Sequence, residues 1–193
     1  LRDIEKYKEA LDSYHKGLEL SREIMEGYFV AWAKAGLGET HRLLGNRDRA
    51  EALLKEAIAE AWGQELTYEA AHFTAQLGIM DYEKGAYDSA IRTLGDVARR
   101  MSRFNDKDSL AKIYFHLAQA HFLAKQFDEA LDWLRKSCQL ATAMGYDEFM
   151  VVEGRKATML MEYAVSKNVE AERFSRIIER LRQRRNAVAY IEL

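Results

Sequence analysis

Ala10, Ala50, Ala90 and Ala130 stand 40 residues apart. Leu37, Leu77 and Leu117 keep the same interval, and each precedes a small residue, Gly38, Gly78 or Ala118. Tyr14, Leu54, Leu94 and Leu134 form a further row, as do Tyr7, Arg47, Tyr87 and Phe127. Gly45 and Gly85 share a slot that Lys125 fills in the next copy. Several columns in one phase define an internal repeat. A repeat of this length is one supersecondary unit that buries its apolar face only against its neighbours.

Each unit reads as two helices. Tyr87, Ala90, Ile91, Leu94, Val97, Ala98 and Met101 recur at steps of three and one, the stripe of an amphipathic helix rather than the alternation of a strand. Phe127, Ala130, Leu131, Leu134, Cys138 and Ala141 repeat the pattern, and Tyr7, Ala10, Leu11, Tyr14, Gly17 and Leu18 anticipate it. The chain of 193 residues contains no proline, the residue that punctuates loops and edge strands. Helix after short turn after helix is the organisation this predicts. A composition 48% hydrophobic and 31% charged excludes long disorder.

The small residues have a packing reason. Gly38, Gly78 or Ala118 on the first helix of a unit faces Ala50, Ala90 or Ala130 on the second, so the two axes approach closely. Gly45 and Gly85 suit the left-handed end of the first helix, where the missing Cβ removes a clash. Asp106 or Asp108 can cap the helix that follows by accepting backbone N–H bonds.

The order Leu77-Gly78, Gly85, Tyr87, Ala90, Leu94, Val97 resembles the tetratricopeptide repeat, and so do Leu37-Gly38, Gly45, Arg47, Ala50, Leu54, Ala57 and Leu117-Ala118, Lys125, Phe127, Ala130, Leu134, Ser137. The resemblance covers roughly residues 3–145. The period of 40 exceeds the common repeat of about 34, and the closing proline is absent. Longer units of this style are similar to the superhelical regions of large bacterial transcription activators, of the maltose-activator or antibiotic-regulatory-protein type. The resemblance implies an all-α, right-handed α-solenoid of about nine helices over residues 1–186. Its units would be 1–26 (partial), 28–63, 66–104, 107–145 and a degenerate 147–186. Residues 147–166 read as one helix with Phe149, Val152, Met159 and Tyr163 apolar, and 169–185 as a last basic helix. Residues 187–193 are a tail or the start of a following domain.

Signals for chemistry are poor. Gly36-Leu37-Gly38 lacks the third glycine and preceding strand of a dinucleotide fingerprint, and no phosphate loop, nucleophile elbow or H-E-x-x-H motif occurs. Glu69 and His72 share one helix face, but a di-iron bundle needs two such pairs and two further carboxylates. An all-helical metal-dependent enzyme using Glu69 and His72 is therefore the alternative reading, and the expectation is no enzyme, no cofactor and no metal. Cys138 sits in an apolar stripe and reads as a small core residue. Arg173, Arg176, Arg180, Arg182, Arg184 and Arg185, opposed in sequence only by Glu179, read as a solvated cap over the end of the array.

Lys plus Arg is 29 and Asp plus Glu is 31, a formal net charge of -2, which disfavours direct nucleic-acid binding by this segment. No apolar run approaches the ~18 residues of a membrane helix. With one cysteine and no signal peptide, a cytoplasmic location is expected. The first residue is Leu1, so the segment is expected to be an excerpt of a longer regulator.

In the family that the chain resembles, the first helix of each unit lines a concave groove. That places Trp32, Glu39, Arg42, His72, Tyr82, Lys112, Phe115, Gln119 and Arg155 in a groove for a protein, a peptide or a small inducer, as a non-enzymatic binding or ligand-sensing scaffold. Trp32, His72 and Lys112 fall 40 apart, as do Arg42 and Tyr82, so they should form a ladder. Self-assembly is the remaining expectation, as a homodimer through residues 4–18, because Tyr7, Leu11, Tyr14 and Leu18 lack a preceding partner helix.

Overall fold

The computed structural model describes the backbone of residues 2–189 and the side chains of residues 6–183. It divides into two compact units, Leu1–Phe104 and Asn105–Leu193. The first holds α1 (Arg2–Glu23), α2 (Gly27–Leu43), α3 (Arg47–Gly63), α4 (Thr67–Glu83) and α5 (Tyr87–Met101). The second holds α6 (Lys107–Leu123), α7 (Phe127–Met144), α8 (Glu148–Glu153), a 3-10 turn (Gly154–Lys156), α9 (Thr158–Ser166) and α10 (Ala171–Ala189). The fold is all-α, with helical hairpins in series and no strand among the described residues. No described helix is long and apolar enough to cross a membrane.

One turn chemistry recurs along the chain. The N–H of Asn46 bonds to the carbonyl of His41 at 2.9 Å and that of Gly45 to Arg42 at 3.0 Å, the paired 6→1 and 5→2 bonds of a Schellman motif. Gly45 and Gly85 take φ of 82° and 87° there, as their spacing predicts. Lys125 enters the same left-handed region at 64° with a side chain. The intervening turns close alike on Met25, Glu65 and Gly145, at 56°, 59° and 65°. Asp106 accepts the N–H of Ser109 at 3.0 Å and caps α6.

The hairpins close on their small residues. Ala50, Ala90, Ala130, Leu54, Leu94 and Leu134 have no accessible surface. A Cβ built on Gly38 would stand 2.9 Å from Leu54 Cγ, and one on Gly78 would stand 2.8 Å from Leu94 Cγ. Glycine at these positions is what brings the axes together. In the second unit Ser137 turns a hydroxyl into the same contact and donates to the carbonyl of Ala111 at 2.7 Å.

The described residues hold ten α-helices, where about nine are expected. The predicted helix over 147–166 is two, broken at the Gly154–Lys156 turn, where the N–H of Ala157 reaches only the carbonyl of Gly154 at 3.0 Å. Gly154 is buried, and a Cβ on it would meet Met161 Cε at 2.9 Å. The break leaves Val152 and Met159 exposed and sends Phe149, Leu160 and Met161 into the core of the unit with Phe174 and Ile177 of α10. The arginines of α10 find acids that their own helix does not supply: Arg180 pairs with Glu148, and Arg182 with Glu162. Arg173 donates to the carbonyl of Cys138 at 3.0 Å and lies 3.7 Å from Asp147. Helix α10 continues through residues 187–189, so the expected tail begins inside a helix. Residues 190–193, and the side chains of Arg184 and Arg185, lie outside the described residues.

Candidate functional site

In the first unit α1, α2 and α4 enclose a cleft of about 540 Å³. Its wall on α1 is Tyr14, Gly17, Leu20 and Ser21, continued by Ile24 in the turn that follows; α2 adds Phe29, Trp32, Gly36 and Glu39, and α4 adds His72, Phe73 and Gln76. Leu20, Ile24 and Phe29 are 61%, 63% and 54% exposed, an unusual concentration of apolar surface beside one cleft. Tyr14 leans across onto α2, where a Cβ on Gly36 would come within 2.3 Å of its ring.

Of the residues 40 apart, Trp32 and His72 are neighbours within this unit. The ring centroids of Trp32 and His72 stand 5.4 Å apart, and Phe73 meets Trp32 edge-on at 5.0 Å. Two polar atoms of the lining are buried without a partner, the indole Nε1 of Trp32 and the amide Oε1 of Gln76. Orphaned buried groups of this kind are uncommon and costly.

Arg42 clamps Glu39 with Nε and Nη2, at 3.0 and 2.7 Å, and reaches Glu83 on α4 with Nη1 at 2.6 Å. Burial works against its charge, but the hydrogen bonds and attraction of Glu39 and Glu83 outweigh it and raise its pKa further. Both carboxylate oxygens of Glu39 are thereby neutralised, and the cleft presents a mostly apolar lining. Tyr82 is 7% exposed and contributes little free surface.

The remaining predicted residues lie in the second unit. Lys112 pairs with Asp108 at 2.6 Å on α6. Phe115 is a core residue, 1% exposed and perpendicular to Phe149. Gln119 is buried and donates Nε2 to the carbonyl of Lys156 at 3.0 Å. Arg155 is exposed on the 3-10 turn. Among the described residues no group of three His, Cys, Asp or Glu could hold a metal ion, so Glu69 and His72 gather no third ligand. Leu18, expected at an uncovered face, is buried with Val30, Ala33, Leu37 and Leu53. Leu20, Ile24, Phe29 and Gln76 were not expected in the site. The signal for Leu20 was its row, in which Glu60 and Arg100 stand.

The tetratricopeptide repeat family model matches residues 1–59 and 68–143. No curated protein matches the sequence. Among solved structures, Bacillus thuringiensis PlcR in complex with the peptide PapR7 and DNA is similar at a TM-score of 0.73 and 16% identity, over 97% of this chain and 68% of that one. BtubC (BKLC) from P. vanneervenii is similar at 0.61 and 15%, over 95% of this chain and 92% of that one. At such identity the likeness is one of fold.

Proposed function

We propose that this chain, which belongs to the tetratricopeptide repeat family, is a non-enzymatic peptide- or protein-binding scaffold, and that it works as the sensing segment of a cytoplasmic bacterial transcriptional regulator. The observation that carries the binding reading is the cleft beside α1, α2 and α4. It joins exposed Leu20, Ile24 and Phe29 to the Trp32–His72 ladder in a space the size of a few side chains. Arg42 is spent on Glu39 and Glu83, so the proposed occupant is apolar rather than strongly acidic. The unpartnered Trp32 Nε1 and Gln76 Oε1 offer a donor and an acceptor to an amide-bearing ligand. In the second unit the proposed surface is Lys112 and Arg155. The regulator reading is supported by the shared fold with PlcR, whose structure holds a peptide and DNA.

A panel of end-blocked peptides, apolar, acidic and basic, tests this by fluorescence anisotropy. Apolar peptides should bind best, and Leu20→Ser with Ile24→Ser should weaken them by about tenfold with unchanged helicity. If no peptide of any set binds, the scaffold reading falls.

A further inference from the structure

We propose that the recess where α3, α4 and α5 meet is a docking site for a short acidic segment of a partner protein. The inference goes beyond the apolar cleft, with which the recess shares no lining residue.

The recess holds about 610 Å³ and is lined from interior helices of the first unit. Trp62 at the end of α3 forms one wall, and α4 enters at Thr67. The end of α5 and the turn after it supply Asp96, Arg99, Arg100, Arg103 and Phe104. The N–H of Arg103 bonds to the carbonyl of Arg100 at 3.1 Å, and that of Phe104 to Met101 at 3.0 Å. Such 3-10 steps bring residues three apart over one another, so Arg100 and Arg103 share a side. Phe104 is fixed edge-on against Tyr68 at 5.3 Å.

Three cations here face one anion. Arg99 pairs with Asp96. The guanidinium carbon of Arg100 lies 5.4 Å from the centre of the Trp62 ring, a contact that holds a cation without cancelling its charge. Among the described residues neither Arg100 nor Arg103 pairs with a carboxylate. Trp62 and Phe104 are 43% and 36% exposed, so apolar surface stands beside the open charges.

The repeat does not call for this cluster. At the positions of Arg99, Arg100 and Arg103, α3 has Ala59, Glu60 and Gly63, and α7 has Gln139, Leu140 and Ala143. The last turns of α3 and α7 carry no basic residue, so those hairpins close without a cation on the helix dipole. What α5 adds is two open guanidiniums beside two exposed rings. Guanidiniums take carboxylates fork to fork. Charge complementarity therefore makes the occupant a segment with two carboxylates and an apolar side chain between them. Its length is bounded as well. Helix α3, which supplies Trp62, also carries Glu51, Glu56 and Glu60, and the whole chain has a net charge of -2. A long polyanion gains nothing beyond the recess from such a chain.

The probe is a rhodamine-labelled, end-blocked peptide, Gly-Asp-Phe-Gly-Asp-Gly, titrated against the full chain by fluorescence anisotropy. It should bind about tenfold more tightly than Gly-Asn-Phe-Gly-Asn-Gly, with an affinity that falls as salt rises. Arg100→Gln with Arg103→Gln should abolish that preference at unchanged helicity, since both side chains are exposed. Arg100→Lys with Arg103→Lys keeps the charge and loses the fork, and should retain part of it. Asp96→Asn frees Arg99 and should tighten the peptide about threefold. Leu20→Ser with Ile24→Ser, in the cleft, should leave it unchanged. Equal affinity for the two peptides, a preference that survives the double Gln variant, weakening by Asp96→Asn, or loss with the cleft variant each overturns the proposal. So does an oligothymidylate or a vesicle of anionic lipid that binds more tightly than the peptide through the same arginines. Apolar peptides that bind while the Asp peptide does not would leave the scaffold reading standing and remove only the recess.

Discussion

Arg42 on α2 and Glu83 on α4 meet at 2.6 Å, and the same guanidinium holds Glu39 with its other two nitrogens. One cation thus ties together the first helices of two successive hairpins. Its side chain is 9% exposed, so removing it takes a buried cation away from two carboxylates. Arg42→Met should destabilise the chain by about 3 kcal/mol in urea denaturation, while Glu83→Gln, which keeps a hydrogen-bond acceptor, should cost less than half of that. Equal losses would show that the carboxylates are not held by Arg42.

Three glycines separate packing from conformation. Gly78→Ala drives a methyl into Leu94 and should cost about 1–3 kcal/mol. Gly85→Ala has open space but a φ of 87°, and should cost about 1 kcal/mol through the backbone alone. Gly17→Ala has neither obstacle and should stabilise by up to about 1 kcal/mol through helix propensity. Denaturant midpoints in any other order would contradict the packing described.

Acid weakens one contact in particular. Hydrogen bonds from Lys55 and then Lys84 hold the Glu51 carboxyl down to about 2, against an ordinary 4.5. The stabilisation is complete above pH 4.5 and is lost as pH falls through that value toward 2. The groups are partly solvated, so the effect is below about 1 kcal/mol. Thermal unfolding of Glu51→Gln and the parent should differ near neutrality and converge at the acid end; a constant difference would place the parent's advantage elsewhere.

Burial pushes the Cys138 thiol up to about 12, with Arg173 pulling the other way. The side chain has no accessible surface. A thiol reagent in mildly alkaline buffer should leave the native chain unlabelled and react once denaturant opens the second unit. Rapid stoichiometric labelling without denaturant would contradict this burial.

The hairpins were legible because their small residues recur in one phase, and because Gly45 and Gly85 mark a turn only glycine enters without cost. Met25, Glu65 and Lys125 adopt the same left-handed turn with side chains, which composition does not announce. The break at Gly154 was hidden because apolar residues run on through it; at the break Met161 packs where a Cβ on the glycine would stand. At the site, register alone places Trp32 beside His72. It could not show that Arg42 is consumed by acids from two helices, since Glu83 lies 41 residues away. Phe115 shares the groove helix with Lys112 and lies three residues on, about 60° round it, yet its ring is in the core.

In the first unit each helix packs mainly on the one before and the one after it, with a smaller contact between α2 and α4. Such a body has no distant strand pairing to shear, and its contacts are gained and lost serially. Pulled from its ends, it should yield in a run of small steps, one helix peeling at a time at low force, and regain each as the load is released. The Arg42 clamp, spanning two hairpins, is where that unzipping should pause.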